Sequence, residues 1–387
     1  MASGASGLDD VRRGNLAAVL RLVHREGPVP RAWITAQTGL NRSTVGGLVS
    51  DLAARGLVRE AAPEATNRVG RPSPVVAADP RLVVVAVNPE VDAITTAVVG
   101  LGARVEAHER HELGHVPTPE ETAALAARVV AGIPGRRVAG VGLAVPGLVS
   151  EADGVVRWAP HLGWTDAPLR DLVERATARP VAVGNDATLG ALAEHLFGAG
   201  RGVDDLLYLN GGASGIGGGI IVGGAPLGGH GGFAGELGQS PAGFVDPADR
   251  TSARGVLEEE VGRDGLLAAL GLPSATEPEL AAALLATDRA DIRDELARQR
   301  RVLAASLATA VNVLDPELIV LGGYLATLLE SDPDGLRRHV EELAVPVAAG
   351  GVRLAAAGLG DDRLLVGAAE HALGAVLADP TSVEWGA

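Results

Sequence analysis

Four short stretches carry residues that could do chemistry on a polar ligand. "GNDATLG" puts Asn185 and Asp186 where an apolar strand ends and a helix begins. Open α/β sheets bind their ligands at such junctions. An Asp there can accept a hydroxyl proton as a general base, or simply cap the helix. "GGFAGELGQSP" carries Glu236 and Gln239 on a glycine-flanked turn. "ARGVLEEEVG" carries Glu258, Glu259 and Glu260 at a helix start. Carboxylates also favour the helix dipole there, so Glu259 and Glu260 read as surface residues. "GGASGIGGGI" (211–220) exposes several backbone N–H groups on a loop without obstructing side chains. Such a loop can cradle an anion; it can equally be a tight hairpin. It is not a dinucleotide fingerprint, because no crossover helix opens at it.

A fifth stretch implies different chemistry. In "NRSTVGGLVSDLAARGL", Asn41 is a good N-cap, and Arg42, Ser43 and Thr44 form the exposed first turn of a helix. Val45, Leu48, Val49 and Leu52 make one buried stripe at helical spacing. A short helix, "PRAWITAQTGL", precedes it and closes at Gly39; "NLAAVLRLVHREG" (15–27) comes before that. This is the helix-turn-helix pattern. Arg42 suits a guanine edge or a phosphate, and Ser43 and Thr44 can donate to phosphates. "LVREAAPEATNRVGRPSPVVAAD" then reads as two strands around a polar tip, a wing bearing Arg68 and Arg71. Arginine on a narrow loop suits the minor groove of double-stranded DNA. The alternative is a three-helix unit that only packs or dimerises.

The charge supports the first reading. The chain of 387 residues has a net charge of −15. Residues 11–75 hold ten Arg against Glu26, Asp51, Glu60 and Glu64, a balance of +6 that leaves −21 on the rest. A basic head on an acidic body fits a nucleic-acid-binding unit joined to something else. All 33 basic residues are Arg, which with the Ala and Gly excess reads as coding bias. The absence of Cys excludes disulfides, thiolate metal sites and a Cys nucleophile. No apolar run approaches a membrane span, and "MASGASGLDD" lacks the marks of a signal peptide, so the cytoplasm is the expected compartment.

The elements that must position the body's residues alternate from about residue 80. "RLVVVAV" and "ITTAVVG" read as strands, "PEETAALAARVVAGI" as a helix, and "VAGVGLAVPGLV" as a buried strand. "DLLYLNGGASGIGGGIIVGGAPL" is a Gly-rich hairpin, and "RQRRVLAASLATAVNVLDPELIVLGGYLA" a helix feeding a strand. The expectation is an α/β body of two lobes, 80–387, behind a winged helix-turn-helix at 11–78.

Taken together, "VGLAVPGLV", "APHLGW", "VGNDATLGALAE", "GASGIGGGIIVGG", "GGFAGELG" and "NVLDPELIVLGGYLA" resemble the ROK family in order and over nearly the whole chain. That family includes sugar kinases and sugar-responsive transcription factors on an actin-like, ribonuclease-H-like body. The winged head is similar to that of its regulators. The resemblance implies a sugar held by Asn185, Asp186, Glu236, Gln239 and Glu258, with Asp186 at the position of the kinases' base. It implies a second phosphate loop at Ser214, Gly215 and Gly217.

Three departures stand out. The kinases' first phosphate turn has Asp, Gly, Gly and Thr where this chain has Asn88, Glu90, Val91 and Asp92. Val91 adds bulk, and Glu90 and Asp92 place like charge beside a phosphate, so ATP use and catalysis are expected to be lost. The family's zinc positions fall at Gln239, Asp249, Thr251 and Val256, so no zinc or other cofactor is expected, and the 240–257 loop must be packed or mobile. Finally, Gln239 replaces a sugar-binding His, and His161 an Asn. The resulting expectation is a DNA-binding regulator, a repressor, that forms a homodimer or homotetramer and responds to a sugar or sugar phosphate. The alternatives are a sugar kinase with an accessory head, and an effector-independent DNA-binding protein.

Overall fold

The computed structural model describes residues 3–61 and 74–383. The head begins with α1 (Ser3–Glu26), upstream of the expected residue 11, followed by β1 (Val29–Pro30), α2 (Arg31–Thr38) and α3 (Arg42–Ala54). Gly39 ends α2 at φ 67°, a left-handed conformation that glycine adopts without strain. Asn41 caps α3, its side chain accepting from the Thr44 N–H at 2.8 Å. Val45, Leu48, Val49 and Leu52 are buried, as their spacing predicts. β2 (Val58–Ala61) and β3 (Val75–Ala78) pair antiparallel as a wing, with β1 on the other side of β3. The wing tip, with Arg68 and Arg71, lies outside the described residues.

The first lobe comprises β4 (Leu82–Pro89), β5 (Ala93–Gly100), β6 (Arg104–Glu112), α4 (Pro119–Ala131), β7 (Arg137–Val145), β8 (Leu148–Ser150), β9 (Val155–Ala159), β10 (Trp164–Ala167), α5 (Leu169–Thr177) and β11 (Val181–Asn185), and α6 (Asp186–Phe197) follows in the chain. Its main sheet has the order β11-β7-β4-β5-β6. The second lobe comprises β12 (Leu206–Gly212), β13 (Gly215–Val222), β14 (Ala225–Pro226), α7 (Leu257–Glu260), α8 (Arg263–Leu270), α9 (Glu277–Leu285), α10 (Ala290–Leu314), β15 (Leu318–Gly323), α11 (Tyr324–Ser331), α12 (Pro333–Leu343), α13 (Pro346–Ala349) and β16 (Arg353–Ala356), and α14 (Arg363–Ala378) follows in the chain. Its sheet has the order β14-β13-β12-β15-β16.

The two sheets repeat one plan. Three strands meander antiparallel, then two join in parallel on the first strand's free side. A helix follows the fifth strand of each sheet and crosses to the other sheet: α6 after β11 packs against β12 and β13, and α14 after β16 packs against β4 and β7. β4 and β5 are buried along their whole length, which accounts for their near-continuous apolar sequence.

The head is not tethered by a linker. Leu16, Val19, Leu20 and Val23 of α1 share one apolar cluster with Leu82 and Val84 of β4 and with Ala369, Leu373 and Leu377 of α14. A polar link lies inside this shared core. His24 Nδ1 accepts from the Gly102 N–H at 2.9 Å, which leaves Nε2 to donate to Glu370 Oε2 at 2.9 Å. The His24 ring also meets Phe197, the last residue of α6, edge to face with centroids 5.2 Å apart.

Candidate functional site: an acidic cleft between the lobes

The site starts where β11 becomes α6. Asn185 takes the capping role: its Oδ1 accepts from the Thr188 N–H at 2.9 Å, and its Nδ2 donates to the Gly147 carbonyl at 3.0 Å. Asp186 is therefore the first helical residue, its carboxylate accepting from the Ala187 N–H at 2.8 Å. Burial pushes its carboxyl up to about 6, against the opposing pull of that N–H and of the Arg363 charge. Glu236 is also raised, first by burial and then by the charges of Asp186 and Glu258. The three carboxylates thus face one space. Gln239 donates to Glu258 Oε1 at 2.5 Å and accepts from Arg254 at 2.9 Å.

The Gly-rich stretch is the β12–β13 hairpin, and its glycines are packed against this group. Gly215 sits at φ 102°, and a Cβ there would lie 2.5 Å from Glu258 Oε2. A Cβ on Gly217 would lie 2.7 Å from that of Ala187. The missing side chains bring the hairpin onto the carboxylates and the start of α6. Ser214, Gly215, Gly217, Asn185, Asp186, Glu236, Gln239, Glu258 and His161 all line one cleft of about 670 Å³.

Arg363 is a cleft residue that sequence reasoning missed. It is the first residue of α14, where Asp186 is the first of α6, so the repeated lobe plan could have found it. Its Nε donates to Asn210 Oδ1 at 2.9 Å, Nη1 to the Gly360 carbonyl at 2.7 Å, and Nη2 meets Glu277 at 3.0 Å.

The β4–β5 turn forms another wall. Asn88 is buried and donates to the Ala144 carbonyl at 2.8 Å. Glu90 accepts from the Thr95 hydroxyl. Arg110 meets Asp92 at 2.7 Å and Glu90 at 3.4 Å, and also pairs with Glu112. The expected like-charge repulsion is therefore relieved by Arg110, but one guanidinium answers three carboxylates.

The 240–257 loop is held by a polar network as well as by packing. Gln239, Asp249, Thr251 and Val256 do not form a donor set. Asp249 pairs with Arg301 at 2.6 Å, Thr251 with Glu260 at 2.8 Å, and Val256 is a buried apolar residue. These residues do not fit zinc. Among the described residues, no group of three or more His, Cys, Asp or Glu could hold a metal.

Glu260 corrects the surface reading. It is wholly buried and accepts four hydrogen bonds of 2.8–2.9 Å from the N–H and hydroxyl groups of Thr251 and Ser252. Those bonds hold its carboxyl below the usual range despite the burial that opposes it. Arg298 adds a bond to the Glu260 carbonyl at 2.7 Å and one to that of Asp249 at 2.8 Å.

On the head, Arg42 is exposed and has no ion-pair partner among the described residues. Ser43 differs from expectation: its hydroxyl donates inward to Asn41 Oδ1 at 2.7 Å, and Thr44 is half-buried. Arg59 on β2 is exposed and likewise unpaired among the described residues, whereas Arg31 pairs with Glu60 and Arg55 with Asp51. No described helix is long and apolar enough to cross a membrane.

Comparison with known proteins covers both halves of the chain. A Bacillus spizizenii xylose repressor is 25% identical over 92% of this chain and 94% of its own. A Halalkalibacterium halodurans glucokinase is 34% identical over 59% of this chain and 74% of its own. A crystal structure of a ROK family transcriptional regulator, a homologue of the E. coli MLC protein, superposes with a TM-score of 0.73. It covers 95% of this chain and 97% of its own, at 23% identity, and so shows a shared fold. The ROK family pattern itself matches residues 84–374, the segment that builds both lobes and the cleft, and the chain belongs to that family.

Proposed function

We propose that the protein is a DNA-binding repressor of sugar metabolism, released or engaged by a sugar or sugar phosphate in the cleft. The observation that carries this reading is the pair of helices joining cleft to head. α6 starts at Asp186 and ends at Phe197 against His24. α14 starts at Arg363 and carries Glu370, the partner of His24, and Leu377, whose carbonyl accepts from Arg21 at 3.1 Å. A ligand that draws the lobes together shifts these helices, and the shift reaches α1 of the head without a flexible link. In a homodimer this changes the spacing of two heads on DNA. The ligand acts only through its differential affinity for the two closures.

Asp186, Glu236 and Glu258 supply acceptors for sugar hydroxyls, and Gln239 supplies both a donor and an acceptor. The repressor relative supports this reading over the head as well as the body. A second reading, a sugar kinase with an accessory head, is favoured by the glucokinase relative. Against it stands the β4–β5 turn. Phosphoryl transfer rests on positioning and charge neutralisation, and this turn offers a polyphosphate an excess of carboxylate.

Two assays on the purified protein separate the readings. Selection of genomic fragments is expected to recover an inverted repeat. A coupled assay for ATP consumption with a panel of hexoses is expected to stay at background. Turnover of any hexose without an enriched fragment would overturn the repressor reading.

A further inference from the structure

The cleft has an apolar side that the polar residues above do not use. Aromatic residues are scarce here: four Trp, two Tyr and three Phe in 387 residues. Tyr208, Tyr324 and Trp164 are buried, and the Trp164 indole donates to the Pro117 carbonyl at 2.9 Å. Trp158, on the same small sheet as Trp164, is instead 47% exposed and lines the cleft.

Its position is fixed by backbone, not by a loop. It sits on the central strand β9, opposite Leu148 of β8 and Thr165 of β10. The Pro146–Gly147 turn presses on β9 so closely that a Cβ at Gly147 would lie 2.6 Å from the Trp158 carbonyl oxygen. Pro146, Leu148, Trp158 and Pro160 make an apolar ledge along one side of the cleft. Asp186 and Glu236 of the same cleft are desolvated, whereas Trp158 stands in partial contact with water. At about 670 Å³, the cleft lies within the ~300–1,000 Å³ range of sites that bury drug-sized ligands, more than a single ring requires.

Resting on the sugar reading of the cleft, we infer that Trp158 is a stacking subsite for a second ring, and that the effector is a disaccharide or aryl glycoside. Pyranose rings present an apolar C–H face, and an indole face is the complementary surface for it or for an aryl group.

The test is calorimetry on the full-length protein with matched probes. Glucose and xylose are compared with cellobiose, maltose, xylobiose and p-nitrophenyl β-glucoside. At least one two-ring probe should bind roughly tenfold more tightly than its own single-ring counterpart. Trp158→Ala should bring that ratio close to one, and Trp158→Phe should keep most of it. Equal affinity for one-ring and two-ring probes overturns the inference and leaves the sugar reading standing. So does a ratio that survives Trp158→Ala. Binding of none of the probes by the wild-type protein overturns both.

Discussion

At the residue scale the cleft should answer to the protonation of Asp186. Its folded value of about 6 lies above that of an unfolded Asp, so its contribution to stability is largest at low pH and is lost as pH rises through 6. Asp186→Asn should therefore raise the thermal midpoint at pH 7.5 and leave it nearly unchanged at pH 4, a contrast that calorimetric scans at the two values check. Ligand binding runs the other way, because the ionised carboxylate is the stronger acceptor of a sugar hydroxyl. Sugar affinity should fall as pH drops through about 6, and Asp186→Asn should flatten that profile while weakening affinity by about tenfold or more. On the head, Arg42→Ala should weaken binding across DNA sequences and lower the salt slope by about 1 if it meets a phosphate. A loss confined to one base position would assign it to a base edge. Asn185 and Asp186 were legible because a strand-to-helix junction has a local signature. Arg363 was not, because "DDRLL" carries no motif and its role depends on the distant Asn210 and Glu277.

At the scale of elements, the strands and long helices followed from period and punctuation, as with the apolar runs of β4 and β5 and the Asn41 cap of α3. The short α7 did not. A run of three Glu on a four-residue helix gives no period, so nothing local says which carboxylate turns inward. Its fate is set by Thr251 and Ser252 on the preceding loop and by Arg298, 38 residues away. Glu260→Gln keeps the shape but halves the acceptors, leaving donors of Thr251 and Ser252 unmet at a buried side chain. That substitution should cost about 1–3 kcal/mol in denaturant unfolding and open the 240–257 loop to limited proteolysis. Chelators should leave the wild-type loop protected. Proteolysis of the wild type on chelator treatment would show that a metal, not Glu260, holds it.

At the scale of the whole molecule, the two-lobed plan was readable and the union of head and body was not. Charge marked residues 11–75 as a basic head joined to an acidic body, and said nothing of how the two pack. The structure instead merges the α1 stripe with β4 and α14 in one core, with His24 and Glu370 inside it. An amphipathic helix reveals that it has a buried face, never which surface buries it. That union is the basis of the central claim, that a ligand at Asp186 alters what the head does on DNA. The measurement that tests it most directly is fluorescence anisotropy on a selected operator fragment, titrated with each sugar that calorimetry shows to bind. The account predicts that sugar shifts the operator affinity of the wild-type protein. It also predicts that Asp186→Asn binds the operator equally well without sugar and needs about tenfold or more sugar to respond. A sugar that binds the cleft yet leaves operator affinity unchanged would contradict it.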